Sequence, residues 1–346
     1  MGRMVMKLSI GLSLFLLAAT AACSMSTQAA PTSPAPQNNP TSTGMPISNA
    51  TSTFVPVTHL VTPGNPPAAF ESQIQHINSS ALAAQHRAAG GENYAFNLFE
   101  RPFDQSMNTY FPELDITHAG VNRDATWFYV TITLVGQSAQ GGLPGDYGLE
   151  LDVNRDGRGD YLIMAAAPKA SWSTDGVRVW QDKDQDVGGI HPIQSDPPPQ
   201  TGDGYETVLF DQGQGTDSDL AWARISPHDP KSVQIAFKRS LFNSSNPFLW
   251  GAWAMDPSML HPAWFDYNDH FTQAQAGSPL VEQKQYYPLK ALYEVVNTCR
   301  WAVGFTPTGN EPDICPVPAT PTPPPGHSSG PGPTPNPNAT PTEKIQ

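Results

Sequence analysis

Residues 127–134, Trp-Phe-Tyr-Val-Thr-Ile-Thr-Leu, alternate so regularly that an extended strand is the conformation that segregates them. Successive side chains of a strand point to opposite faces, so Phe128, Val130, Ile132 and Leu134 share one face and Trp127 and Tyr129 the other. Runs of the same kind recur at 147–151, 161–165, 177–180, 205–210, 233–237 and 248–254. Each is short, rich in aromatic or β-branched residues, and bounded by Gly, Pro, Asp or Asn. Many short strands with few helical stretches predict an all-β chain, an antiparallel β-sandwich of jelly-roll-like type with one or two short helices. One helix is expected over residues 70–82, where Phe70, Ile74, Ile77 and Leu82 keep near-helical spacing ahead of Gly90-Gly91.

The two ends of the 346-residue chain read differently. Arg3 and Lys7 precede an apolar run over residues 8–22, a signal-peptide pattern that extends over 1–23 and implies export. Thr20-Ala21-Ala22-Cys23 resembles the lipobox of bacterial lipoproteins. That resemblance implies a lipidated Cys23, a membrane anchor and an extracytoplasmic, cell-membrane location; cleavage after Ala19-Thr20-Ala21 is the alternative. Residues 24–68 are rich in Ser, Thr and Pro, and 316–346 repeat Pro-Thr-Pro and Pro-Asn-Pro. These two segments hold 20 of the 37 prolines, and such sequences bury too little apolar surface to offset the entropy of ordering. They read as a linker and a disordered tail around a folded domain at 69–315. With Cys23 taken by lipid, Cys299 and Cys315 remain as an even pair in an exported protein. A disulfide between them would contribute about 3 kcal/mol by restricting the unfolded chain.

The net charge of -13 argues against a nucleic-acid partner, which needs a basic face for phosphates. Most of that charge is local: residues 141–220 contain 15 acids and 5 bases. Within them, Asp152-Val-Asn154-Arg-Asp156-Gly157-Arg158-Gly159-Asp160 places side-chain oxygens at positions 1, 3, 5 and 9, with the Arg158 carbonyl at position 7. Hard cations prefer such oxygen ligands, and Gly157 permits the tight turn that would gather them. The loop looks like the DxNxDGxxD hairpin of FG-GAP (integrin-α-like) repeats, and that resemblance implies a Ca²⁺ site. Asp182-Lys-Asp184-Gln-Asp186 repeats the acids at positions 1, 3 and 5. If 147–151, 161–165 and 177–180 run up, down and up, both loops emerge at one end of a sheet. Crowded carboxylates there repel one another unless cations neutralise them.

No nucleophile elbow, phosphate-binding loop, HExxH or dinucleotide fingerprint occurs in the chain. The segments ELDITHAGVNRDATWFYVTITL, YGLELDVNRDGRGDYLIMA, VQIAFKRSLF and FLWGAWAMD are together similar to the family 9 carbohydrate-binding-module-like (DOMON-like) sandwiches. The likeness spans roughly 113–256 and implies a calcium-bearing sandwich with an aromatic-lined ligand face. It departs from the family at Ala236-Phe237-Lys238, where a Pro is favoured. Four tryptophans, Trp127, Trp180, Trp250 and Trp253, fall in the strand runs and are expected in the core. Trp264, Asp266, Tyr267, Asp269 and His270 combine rings with polar groups in one loop and form the candidate ligand-binding cluster. Three functions follow: a membrane-tethered calcium-binding module for a glycan or surface partner, a structural or adhesion domain that uses calcium for rigidity, and an extracellular hydrolase.

Overall fold

The computed structural model describes residues 58–90, 92–188, 203–265, 267–277 and 289–317. Cys23, the rest of the expected signal peptide at 1–23, most of the expected linker at 24–68 and nearly all of the expected tail at 316–346 lie outside the described residues. In chain order the strands are β1 (Ser72–Gln75), β2 (Glu100–Arg101), β3 (Ile116–Arg123), β4 (Trp127–Leu134), β5 (Asp146–Asp152), β6 (Tyr161–Ala166) and β7 (Val177–Gln181). There follow β8 (Thr207–Asp211), β9 (Gln214–Gly215), β10 (Ala221–Ile225), β11 (Ser232–Lys238), β12 (Phe248–Met255), β13 (Val295–Asn297) and β14 (Trp301–Val303). They form two antiparallel sheets, one ordered β1-β3-β4-β11-β10 and the other β2-β13-β12-β5-β6-β7-β8-β9, with β14 also paired to β12. The fold is an all-β sandwich.

The alternation read from residues 127–134 is realised in β4. Phe128, Val130, Ile132 and Leu134 enter the space between the sheets, where they meet Leu149, Leu151, Ile163, Val179, Trp250 and Ala252 from the second sheet. Trp250 is fully buried, and its indole N–H donates to Ser72 Oγ at 2.9 Å, which satisfies the one polar atom that its burial would otherwise strand. Burial of each such side chain contributes roughly 1.5–3 kcal/mol. The opposite faces are covered as well. Trp127 and Tyr129 pack with Trp222 and Ala236 under Trp172. Leu162, Met164, Trp180, Trp253 and Met255 on the back of the second sheet pack against Phe99, Phe265 and Tyr267. Trp127, Trp180, Trp250 and Trp253 are all buried.

Residues 70–82 do not form the expected helix. Ser72–Gln75 is a strand that pairs with β3, Ser72 opposite Val121 and Ile74 opposite Ala119, and the first helical turn is a short 3-10 segment at Ala83–Gln85. Four apolar residues at near-helical spacing mimicked an amphipathic helix, whereas burial alternates residue by residue through Ser72, Gln73, Ile74 and Gln75. Phe70 explains part of the mimicry. Its ring lies over Gly120, where an added Cβ would stand 2.5 Å from a ring carbon, so it packs across a strand rather than along a helix face. The short helices fall later, at α1 (Tyr267–His270) and α2 (Gln273–Ala276), the second closed by a capping box between Thr272 and Gln275. Among the described residues no helix is long and apolar enough to cross a membrane.

Two segments outside the strands are tied firmly to them. His59, Leu60 and Val61 converge on the Asp219 carboxylate at 2.7, 2.8 and 2.9 Å, and Trp172 donates its indole N–H to the Gly64 carbonyl. At the other end Cys299 and Cys315 are joined in a disulfide, and Arg300 N–H donates to the Asp313 carbonyl inside that closed loop.

Candidate metal centre

Strands β5, β6 and β7 run up, down and up, so the loop after β5 (residues 152–160) and the loop after β7 (182–188) sit side by side. They are joined directly. Gly159 N–H donates to the Val187 carbonyl at 3.0 Å, Asp182 N–H to the Asp160 carbonyl at 3.1 Å, and Gln185 Nε2 to Asp160 Oδ1 at 3.2 Å. Arg158 and Gly188 form a bridge of their own.

The two loops wind in the same way. Asp152 Oδ1 accepts from Arg155 N–H and Oδ2 from Gly157 N–H, at 2.5 and 3.0 Å. Asp182 repeats this with Gln185 and Val187, at 2.6 and 3.0 Å. The fourth residue of each loop is left-handed, Arg155 at φ 66 and Gln185 at φ 62. In the first loop Asn154 Oδ1 also accepts from Asp156 N–H, Asp156 Oδ1 from Arg158 N–H, and Asp160 Oδ2 from Val153 N–H. The aspartates therefore hold both turns through backbone donors, whatever else they bind.

Electrostatically the loops differ. Under the first, the buried Arg300 guanidinium lies 3.3 Å from Asp152 Oδ2 and pairs with Glu150 as well. The second gathers further acids. Asp186 accepts from the N–H groups of Asp203 and Gly204 at 2.7 and 2.9 Å, and Glu206 accepts from Lys183 N–H at 3.1 Å. The carboxylates of Asp182, Asp184 and Glu206 thereby offer oxygens within 4.8 Å of one another, and so do those of Asp184, Asp186 and Asp203. Asp184 belongs to both groups. Asp152, Asn154, Asp156 and Asp160, with the Arg158 carbonyl, stand beside this cluster and are not among its three-acid groups.

Burial pushes Asp182 up to about 7, the Asp186 charge adding to the shift and the N–H donors of Val187, Gln185 and Asp186 opposing it. Asp186 rises to about 6 for the same reason, reinforced by Asp184 and Asp203. Asp152 also rises to about 6 through burial, although Arg300 restrains it. Carboxylates in this condition are short of positive charge, and an oxygen-only set of donors suits a hard divalent cation. Beneath the loops Tyr205 is buried, and its hydroxyl has no hydrogen-bond partner among the described residues. That hydroxyl would stand 1.8 Å from a Cβ at Gly159, so glycine there lets the first loop close over the ring.

Asp203 and Glu206 were not legible as ligands from spacing. They lie beyond the regular 1-3-5 pattern and reach the loop only because the chain returns into β8. The acidic surplus of residues 141–220 was the one signal that covered them.

The aromatic cluster of residues 264–270 is divided by the fold. Tyr267 is fully buried, edge-on to Phe99 and Trp253, and its hydroxyl donates to the Met259 carbonyl. It belongs to the core behind the second sheet, not to a solvent-facing surface. Trp264 is 43% exposed, with the rings of His261 and His270 at 4.7 and 5.8 Å. Asp266 and the Asp269 side chain lie outside the described residues. Comparison with protein-family models, characterised proteins and solved structures returns no match to this chain.

Proposed function

We propose that this chain is an exported β-sandwich module, tethered to a membrane through lipid on Cys23, that holds calcium in its paired acidic loops and binds a glycan or other surface partner. The observation that carries the calcium reading is the convergence of Asp182, Asp184, Asp186, Asp203 and Glu206 into two overlapping groups of carboxylate oxygens. An irregular, all-oxygen site of this kind suits Ca²⁺ better than Mg²⁺, which demands near-ideal octahedral geometry. Export and anchoring rest on the signal-peptide and lipobox patterns. The partner reading rests on Trp264, a partly exposed tryptophan flanked by the rings of His261 and His270. A second reading, calcium for rigidity alone, is favoured by the double duty of Asp182 and Asp186, which also anchor the backbone of the loop and of its return.

A cation that binds the folded chain and not the unfolded one stabilises it by mass action, by about 2.7 kcal/mol at a hundredfold excess over Kd. Thermal melting in millimolar Ca²⁺ is expected several degrees above melting in chelator, with Mg²⁺ giving a smaller shift. Identical melting temperatures in Ca²⁺ and chelator would overturn the calcium reading.

A further inference from the structure

A second concave site has no acidic-loop residue in its lining. A cleft of ≈ 440 Å³ runs between the segment of residues 93–100 and the disulfide-closed loop of residues 309–316. Its walls are largely apolar: Ile77, Phe96, Leu98 and Ile314 all line it, and Ile77 and Phe96 are themselves 61% and 44% exposed. Three carboxyl groups line it too, Glu100, Glu311 and Asp313, without a lysine or arginine among the lining residues. The only titratable base is His76, which burial lowers to about 4 and so leaves neutral at physiological pH. Clefts of this size, apolar with a few converging polar groups, are where proteins take small molecules.

Glu100 is the most deeply placed of the three. Its carboxyl is 2.9 Å from His76 Nε2 and accepts from Ser79 Oγ at 2.5 Å. Behind it stands Asp115, which accepts from Ser79 N–H at 2.9 Å and Tyr110 OH at 2.6 Å, while its Oδ1 is buried with no partner among the described residues. The charged and titratable groups around Glu100 are thus Asp115, His76, Tyr110 and Glu92, and none supplies a compensating cation to its carboxyl; Glu92 is engaged with Arg101. Asp313 is likewise raised by burial, to about 6, but differs in having the Arg300 guanidinium near enough to oppose the shift. An anionic ligand would meet three carboxyl groups. A bare metal ion would leave the apolar walls unused. A cation with an apolar body answers both features, since its charge meets the carboxyl groups and its body covers Phe96 and Leu98, with a cation–π contribution available from the Phe96 ring.

We propose that this cleft is a binding site for a small organic amine, its ammonium received by Glu100 and Asp313 and its apolar body lying against Phe96, Leu98 and Ile314. Its lining residues include none of the carboxylates grouped at the metal centre. Burial, with the Glu92 charge adding to it, holds Glu100 protonated at neutral pH, at about 8. An ammonium that docks there favours the carboxylate, and the displaced proton passes to the buffer.

The test is calorimetric titration of the full chain at neutral pH with benzylamine, benzyl alcohol and benzoate, in two buffers of different ionisation enthalpy. Saturable benzylamine binding is expected, at least tenfold tighter than benzyl alcohol and with proton release that the buffer comparison reveals; benzoate should not bind. Glu100→Gln should weaken benzylamine about tenfold and abolish proton release. Because Glu100 is buried, Phe96→Ala provides the second variant at an exposed position and should weaken benzylamine without removing the proton release. Equal affinity for benzylamine and benzyl alcohol, absence of saturable benzylamine binding, or unchanged affinity in both variants would overturn the proposal. Asp184→Asn should leave benzylamine binding intact, so the outcome stands apart from that of the calcium reading.

Discussion

Replacement of Arg300 by methionine is expected to destabilise the fold by about 3–5 kcal/mol, the range for removing one partner of a buried ion pair. Arg300 is buried and holds Glu150 and Asp152, and the electrostatic field of Asp313 also reaches it. Methionine fills much of the same volume, so the loss is electrostatic rather than a cavity. The carboxylates left behind are buried, Asp152 fully, and among the described residues Arg300 is the cation paired with both. The damage should spread to the first acidic loop, because Asp152 anchors the N–H groups of Arg155 and Gly157. Urea unfolding of wild type, Arg300→Met and Arg300→Met/Glu150→Gln reads this directly. The double variant should recover part of the loss, since it removes one stranded charge along with its partner. A double variant no more stable than the single one would show that the charge left on Glu150 is not the cause.

The second large effect is on pH dependence, and its sign is unusual. Burial raises Glu100 and Asp115 to about 8, from ordinary values of 4.5 and 3.8, with the Glu92 charge adding to the first and the Glu100 charge to the second. Glu294 rises to about 7 through burial, with Asp256, Asp104 and Glu113 adding to it. In every case the folded chain holds a proton that the unfolded chain has released. The stability these protons confer is fully present below the unfolded values and is lost as pH climbs through the folded ones. His76, lowered to about 4 by burial, acts in the opposite sense between about pH 4 and 6.5 and is silent above that. From about pH 6.5 to about pH 8, metal-free protein should therefore lose stability steadily, at about 1.4 kcal/mol for each pKa unit involved. Denaturant midpoints in chelator across that range measure it. Glu100→Gln should flatten the slope, and a wild-type midpoint that rises over the same range would contradict the assignment.

The sandwich was largely legible because one face of each strand is buried and the period of two survives in the sequence. Residues 127–134 show this most plainly, and 248–254 show its limit. β12 is buried on both faces, so Trp250 and Trp253 both read as core although they belong to different clusters. The mistaken helix at 70–82 arose where tertiary contact replaced periodicity: Phe70 packs over Gly120 from outside the strand that follows it. At the metal centre the 1-3-5 spacing marked both turns, because local Asx-type hydrogen bonds follow directly from local sequence. The electrostatic contrast between the loops was not legible. It depends on Arg300, 148 residues from Asp152, and on Asp203 and Glu206, which arrive from the far side of β8's approach. The Glu100–Asp115 pair was hidden for the same reason, since β2 and the residue just ahead of β3, in different sheets, bring those carboxyl groups together.

The most direct test of the account is a calorimetric titration of Ca²⁺ into metal-free protein at neutral pH, with wild type and Asp184→Asn compared. Asp184 belongs to both carboxylate groups and is exposed, so the change removes charge from the site at little cost to the fold. Wild type should bind Ca²⁺ saturably, with a Kd of roughly 10⁻⁴–10⁻³ M as is usual for extracellular modules. Asp184→Asn should bind at least tenfold more weakly, a loss of about 1.4 kcal/mol or more. No saturable binding in wild type, or equal affinity in the two proteins, would contradict a calcium centre built around Asp184.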